Sequence, residues 1–239
     1  MKKNILSISY ERLTYFLNKI YEKKFRSNQI FKWIYQHQID NFDLMTNLNK
    51  KTIEFLKKKF FIKRLKIKLI KKSKDGSKKI LFQLKDYNII ETLIIPEKKH
   101  FTICISTQVG CAQKCRFCMS GNKGLIRNLS SGEIISQIRD IKKYIKNKEI
   151  PINIVLMGIG EPLSNYNEVI KALIIISNND YGLKISKKRI TISTSGIIPK
   201  IEELPSKINI NLAISLNASN NKLRSFLMPI NKHCIIKGA

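Results

Sequence analysis

Three of the chain's five cysteines, Cys111, Cys115 and Cys118, fall in the short stretch "GCAQKCRFCMSG". Their spacing is C-x3-C-x2-C. Three thiolates on one loop can hold three irons of a cubane iron–sulfur cluster and leave the fourth iron open to a substrate or cofactor. A structural zinc site would want a fourth ligand at C-x2-C or paired-histidine spacing. The remaining candidates, His100, Cys104, His233 and Cys234, stand at neither, so the open cluster is the favoured reading. Three further polar motifs each end an apolar stretch: "GIGEP" (158–162), "STSG" (193–196) and "SLNAS" (215–219).

The elements that would carry these motifs alternate. Strands are predicted over 101–107, 152–159, 189–196 and 210–217. Helices are predicted over 130–145, about 167–177 and 219–227. Ser130 and Glu133 are placed as a capping box, with Ile134, Ile135, Ile138 and Ile141 on one helical face. Near-continuous apolar strands alternating with helices predict an α/β fold of parallel strands covered by helices. In parallel barrels the chemistry lies at the C-terminal edge of the strands, and all four motifs fall there.

The first part of the chain has a different rhythm. Leu13, Phe16, Leu17 and Ile20 follow one helical face, and Ile30, Trp33, Ile34 and His37 repeat the spacing. Residues 66–84 read as a lysine-rich hairpin with its turn at Asp75-Gly76. A further strand, 88–96, ends at Pro96. The expected division is an accessory, RNA-binding part over 1–96 and a core over 97–239.

Lys and Arg number 45 against 17 Asp and Glu, a net charge of +28. Such a field draws a polyanion. Only eight of the 45 are Arg, and Ile and Asn are plentiful, so a coding bias toward Lys also contributes. No run of about 18 apolar residues occurs, which excludes a membrane-spanning helix. The basic start lacks an unbroken apolar run and is not a signal peptide. A clustered, odd cysteine set in such a chain points to metal or catalysis before disulfides. The sequence reads as cytoplasmic.

With Phe117 before the last cysteine, the loop resembles the signature of radical S-adenosylmethionine enzymes. The stretches "IETLIIPE", "CISTQVGCAQKCRFC", "LMGIGEPLSNYNEVIKAL", "KKRITISTSGIIP", "NLAISLNAS" and "MPINK" resemble the adenine-C2 RNA methyltransferases. "FRSNQIFKWIYQHQIDNFDLMTNLNK" resembles that family's helical accessory domain. The resemblance runs to about residue 232. It implies a partial, TIM-like (β/α) radical barrel behind a mainly helical domain and a β-hairpin. It also implies a [4Fe–4S] cluster, S-adenosylmethionine and methylation at C2 of an adenine in 23S rRNA and in tRNA. The implied partners are those RNAs and an electron donor such as flavodoxin, with the chain a monomer.

Residue by residue, the resemblance assigns the cluster to Cys111, Cys115 and Cys118. It places Gly160 and Glu161 at the methionine amino group of the cofactor, and Ser193, Ser215, Leu216 and Asn217 at its methionine or ribose. The family commonly has His where this chain has Asn217. Glu91 matches the family's proton acceptor, and Cys104 a cysteine that helps resolve a covalent RNA intermediate. The family also uses a cysteine near its C-terminus that is itself methylated first. This chain stops at Ala239 after four recognisable strands, and Cys234 is not assigned that role. The expectation is a fragment, half of a split protein or a decayed copy, which holds a cluster but does not methylate RNA alone. An unpaired strand edge and part of the core would then be exposed. The alternative from another class is a basic RNA-binding module with a zinc knuckle and no catalysis.

Overall fold

The computed structural model describes residues 2–145 and 150–232. His233 and Cys234 lie outside the described residues. Apolar, β-branched segments build one mixed sheet of seven strands: β1 (Lys66–Lys72), β2 (Lys78–Gln83), β3 (Ile89–Pro96), β4 (Phe101–Cys104), β5 (Ile152–Leu156), β6 (Ile190–Thr194) and β7 (Asn211–Ile214). The order across the sheet is β7-β6-β5-β4-β3-β2-β1. Strands β4 to β7 are parallel. Strands β1 to β3 form an antiparallel meander joined to them through β3 and β4. Among the described residues the four parallel strands stay open and do not close into a barrel.

The pleat sorts residues by face. Ile80, Phe82, Ile90, Ile103, Ile154, Ile190 and Ile192 are fully buried on one face. There they pack under α4 (Ser131–Arg139) and α5 (Tyr166–Ser177). Thr92, on the same face, donates its hydroxyl to Gln137 Oε1 at 2.9 Å. Fully burying each such Ile stabilises by about 1.5–3 kcal/mol. Helix α4 starts with the capping box that the spacing predicts but ends at Arg139, short of the expected residue 145; its Ile134, Ile135 and Ile138 are fully buried, as is Ile141 just past its end. The opposite face, with Leu93, Cys104, Val155 and Ser193, is the more open one. At the free edge, Leu212 and Ile214 of β7 are 40% and 47% exposed, the exposed edge that the strand count predicts.

Upstream, α1 (Tyr10–Asn18), α2 (Phe25–Phe31) and α3 (Lys50–Lys59) pack into a helical unit. Ser9 and Asn49 cap α1 and α3 by accepting from Arg12 N and Thr52 N. Leu13, Leu17, Ile30 and Ile34 are fully buried. Past Phe31, α2 widens into a π turn over Lys32–Gln36. Trp33 donates its indole N–H to Asn47 Oδ1 at 2.7 Å and lies 4.8 Å from the His37 ring.

The helical unit is bolted to the sheet layer. Arg139, fully buried on α4, donates to the carbonyls of Ile34 and Ile39 and to Asp140 and Asp40. Arg64 also binds Asp40, and Leu65 N donates to Asp140 Oδ2 at 2.8 Å. Burial pushes the Asp140 carboxyl up. Burial pushes Asp40 up too, but hydrogen bonds from Arg139 and Arg64 outweigh it and hold that carboxyl down. The expected division after Pro96 falls inside the sheet, because Pro96 pairs with Phe101 and Leu93 with Cys104.

Candidate active site

Each parallel strand delivers one polar motif to the same edge. After β4 the chain leaves the sheet and forms a small ribbon, Gln108–Gly110 against Leu125–Asn128. This ribbon pinches the base of the cysteine loop, with Cys111 N donating to Gly124 O at 3.0 Å. Gly110 is in the left-handed region, φ +76°, and a Cβ there would stand 1.9 Å from Gly124 O. No other residue closes this pinch.

The loop's far side is docked on α7 (Asn221–Leu227). Arg116 N donates to Leu227 O at 2.9 Å, and its guanidinium stacks 4.1 Å above the Phe226 ring. Two residues before Phe226, Arg224 is buried to 1% exposure. It donates to Ser195 O at 2.6 Å, Leu216 O at 3.2 Å and Ser215 O at 3.4 Å, and also to Asn231. Helix α7 therefore ties the cysteine loop to the ends of β6 and β7.

Between them lies a cavity of about 360 Å³. Cys111, Cys115 and Cys118 line one side. Gly160, Glu161, Ser193, Ser195, Ser215 and Asn217 line the other, with Met157 and Met228 as apolar wall. The volume falls in the ordinary range for a small-molecule site. Ser193 and Ser215 Oγ are 3.5 Å apart. Asn217 is in the left-handed region, φ +57°, and its amide reaches Met228 Sδ at 3.4 Å. Leu216 does not line the cavity; its side chain is 42% exposed and its carbonyl is held by Arg224.

Glu161 is a buried organiser. Its carboxylate accepts from Leu163 N at 3.0 Å and from Ser195 N and Oγ, both at 2.8 Å. A carboxylate has about four lone-pair sites, so one direction is left for a cofactor ammonium. Its backbone N–H donates to Gln108 Oε1 at 2.8 Å. Gly160, at φ +107°, makes this possible, since a Cβ there would stand 2.5 Å from Gln108 Cβ. The sequence reading did not single out Gln108, Ser195 or Arg224. No motif flags a lone buried Gln or Arg, and only the α7 register places Arg224 beneath the strand ends.

Glu91 and Cys104 stand apart from the cavity. Glu91 is on the open face of β3, 3.0 Å from Lys79 Nζ, and lines a second groove beyond the ribbon. Cys104, at the end of β4, is buried; burial pushes its thiol up, and Glu91 adds to the effect.

The same architecture recurs in known proteins. Residues 3–62 match the model of the ribosomal RNA large subunit methyltransferase N-terminal domain, and 105–236 that of the radical SAM superfamily. A probable dual-specificity RNA methyltransferase RlmN of Clostridium novyi is 46% identical over 98% of this chain and 68% of its own length. The chain belongs to the RlmN family. The dual-specificity RNA methyltransferases RlmN of Buchnera aphidicola subsp. Cinara cedri and Desulfosudis oleivorans are 50% and 46% identical over 97% of this chain, and 66% and 62% of theirs. The chain thus spans about two thirds or less of the length of these relatives. The crystal structure of a radical SAM methyltransferase from Sphaerobacter thermophilus matches with TM-score 0.87 and 33% identity, over 97% of this chain and 68% of that one.

Radical SAM membership implies a [4Fe–4S] cluster and S-adenosylmethionine, and the donor set fits both. Burial pushes the Cys111 and Cys115 thiols up, and the neighbouring sulfurs and Glu161 push the same way. Thiols held up in this way ionise once the positive charge of a bound metal is beside them. Among the described residues no three His, Cys, Asp or Glu side chains converge on a single ion. That convergence is what a zinc knuckle requires; a cubane instead takes one thiolate at each of the separate irons by which it is held. The hydroxyls, the amide and the remaining Glu161 direction suit an amino acid and a ribose.

Proposed function

We propose that this chain forms the cluster- and cofactor-holding part of a radical S-adenosylmethionine enzyme that methylates C2 of an adenine in 23S rRNA and tRNA. The observation that carries the proposal is the convergence, across one cavity, of three loop thiols with Glu161, Ser193, Ser215 and Asn217. In this reading residues 1–96 meet the RNA and 97–239 carry the radical core, in the cytoplasm, as a monomer served by an electron donor such as flavodoxin. Among the described residues no helix is long and apolar enough to cross a membrane.

Adenine C2 is an electron-poor carbon with no useful nucleophilicity, so direct methyl transfer from a sulfonium fails. The bound cluster supplies the electron that opens the radical route. The chain's own residues bind and orient. Cys111, Cys115 and Cys118 hold the cluster. Glu161 and the Gly160 turn receive the cofactor's ammonium, a charge-assisted contact. Ser193, Ser215 and Asn217 hold its methionine or ribose. Met157 and Met228 exclude water. Glu91 accepts a proton, and Cys104 takes part in resolving the RNA adduct.

The test is anaerobic reconstitution with iron and sulfide. With a reductant, the loaded protein should release methionine from S-adenosylmethionine, and 2-methyladenosine is sought by mass spectrometry of digested ribosomal RNA. A colourless protein that takes zinc and leaves S-adenosylmethionine intact would sink the proposal.

A further inference from the structure

A second groove, of about 620 Å³, lies on the open face beyond the ribbon. It is lined by Lys79, Tyr87, Glu91, Met119, Lys123 and Ile126 among others. Three observations set it apart. The first is Tyr87. It occupies a tight turn at φ +65° and is 81% exposed. That backbone region is costly for a bulky side chain and is ordinarily given to Gly or Asn. The ring buries almost nothing in return. The turn is held firmly, by Leu84 N to Asn88 O at 2.8 Å and by Arg127 on Asp86 at 2.5 Å. A rigid mount thus displays an aromatic ring to solvent.

The second is the rim. Met119 and Ile126 are 76% and 63% exposed beside it. The third is charge. Lys71 on β1 is directly opposite Lys79 on β2, on the open face. Like charges directly opposite destabilise a sheet. Lysine on an edge strand can serve to block strand addition, which accounts for Lys71 on β1, but β2 is an inner strand, so edge protection does not explain Lys79. The one carboxylate in the groove, Glu91, is held by Lys79 at 3.0 Å. The groove runs from Lys79 of the hairpin to exposed Lys123, on the segment that follows Cys118.

An exposed aromatic between apolar side chains and cations is what single-stranded nucleic acid binds: stacking for bases, lysines for phosphates. We infer that this groove is a track for an unpaired RNA strand, with Tyr87 stacking a base and Lys71 and Lys123 contacting phosphates. The inference rests on the RNA reading above. Sequence-specific RNA recognition targets unpaired bases, and a base that is to react must leave its stack.

The test uses the full chain and a fluorescein-labelled RNA stem-loop with adenine in the loop, with a blunt RNA duplex as control. Tyr87→Phe should bind as the parent does. Tyr87→Ala should bind the stem-loop about 5- to 150-fold more weakly. Tyr87→Gly should weaken binding equally while raising the melting temperature, because glycine relieves the turn. A purely structural tyrosine would not separate the two. Lys71→Gln with Lys123→Gln should flatten the dependence of log K on log salt by about 0.7 for each phosphate no longer neutralised. Parent-like affinity of Tyr87→Ala and Tyr87→Gly overturns the track alone. An unchanged salt slope overturns the lysine contacts. A parent chain that does not bind the stem-loop overturns both the track and the RNA reading.

Discussion

Arg224→Met tests whether the strand ends are held from below. The Arg224 guanidinium is 1% exposed and donates to three backbone carbonyls, those of Ser195, Ser215 and Leu216, and to the Asn231 side chain. Methionine has nearly the same length, so it fills the space and the cavity cost stays small. The carbonyls lose their donor. A buried group left unpaired costs about 1–3 kcal/mol. Two of the three contacts are long, at 3.2 and 3.4 Å, and methionine also removes the guanidinium's own desolvation cost, which offsets several kcal/mol. The net loss comes to about 2–4 kcal/mol. In a chain of this size 1 kcal/mol moves Tm by about 2–4 °C, so Tm should fall by about 4–16 °C. Arg224→Lys keeps the charge but offers a single donor head, and should recover part of the loss. Thermal unfolding followed by circular dichroism reads the shift. In parallel, S-adenosylmethionine affinity at equal iron content reads the effect on the cavity. A Met variant that melts within about 1 °C of the parent would refute the reasoning.

Three further outcomes follow from the geometry. Glu161→Gln puts an amide where a carboxylate accepts three hydrogen bonds, so an N–H must face a donor; urea unfolding should show a loss of about 2–3 kcal/mol. Cys111→Ser, Cys115→Ser and Cys118→Ser should each cut iron content after reconstitution, measured by metal analysis, with the fold retained by circular dichroism. Hydrogen bonds from Arg127 hold the Asp86 carboxyl at about 2. A depressed carboxylate stabilises above its unfolded pKa of about 3.9 and loses that contribution as pH falls through about 2. The pair is about one-third exposed, so the effect is well under about 1 kcal/mol. Protection factors at Tyr87 and Asn88, taken against the intrinsic exchange rate at each pH, should fall across that acid window and stay level above it.

The parts legible in sequence were those with short-range causes. Ser130 and Glu133 announce the start of α4, and the stretches 152–159, 189–196 and 210–217 announce parallel strands. The cysteine spacing and the polar motifs at the strand ends do converge on one cavity. What sequence did not reveal depends on long-range pairing. Helix α6 (Ile198–Lys207) contains Pro199 and Pro205, which mask it. Proline is tolerated in a first turn, so Pro199 is no breaker there. Pro96 looked like a boundary because proline ends strands; its pairing with Phe101 is visible only once the sheet forms. The motif assigns Glu161 only a cofactor role, whereas its partners Ser195, after β6, and Gln108, in the ribbon, are 34 and 53 residues away.

The continuity of the sheet makes the molecule a ruler. Lys79 is on β2, and the turn at Met157 and Gly158 closes β5, three strands away. Neighbouring strands are about 4.8 Å apart, so the offset is about 14 Å and is written in backbone hydrogen bonds. Pro96 and Phe101 pair where the meander joins the parallel strands, so the sheet runs unbroken across that junction. Any group bound at the meander is therefore held at a fixed distance from the rim of the cavity.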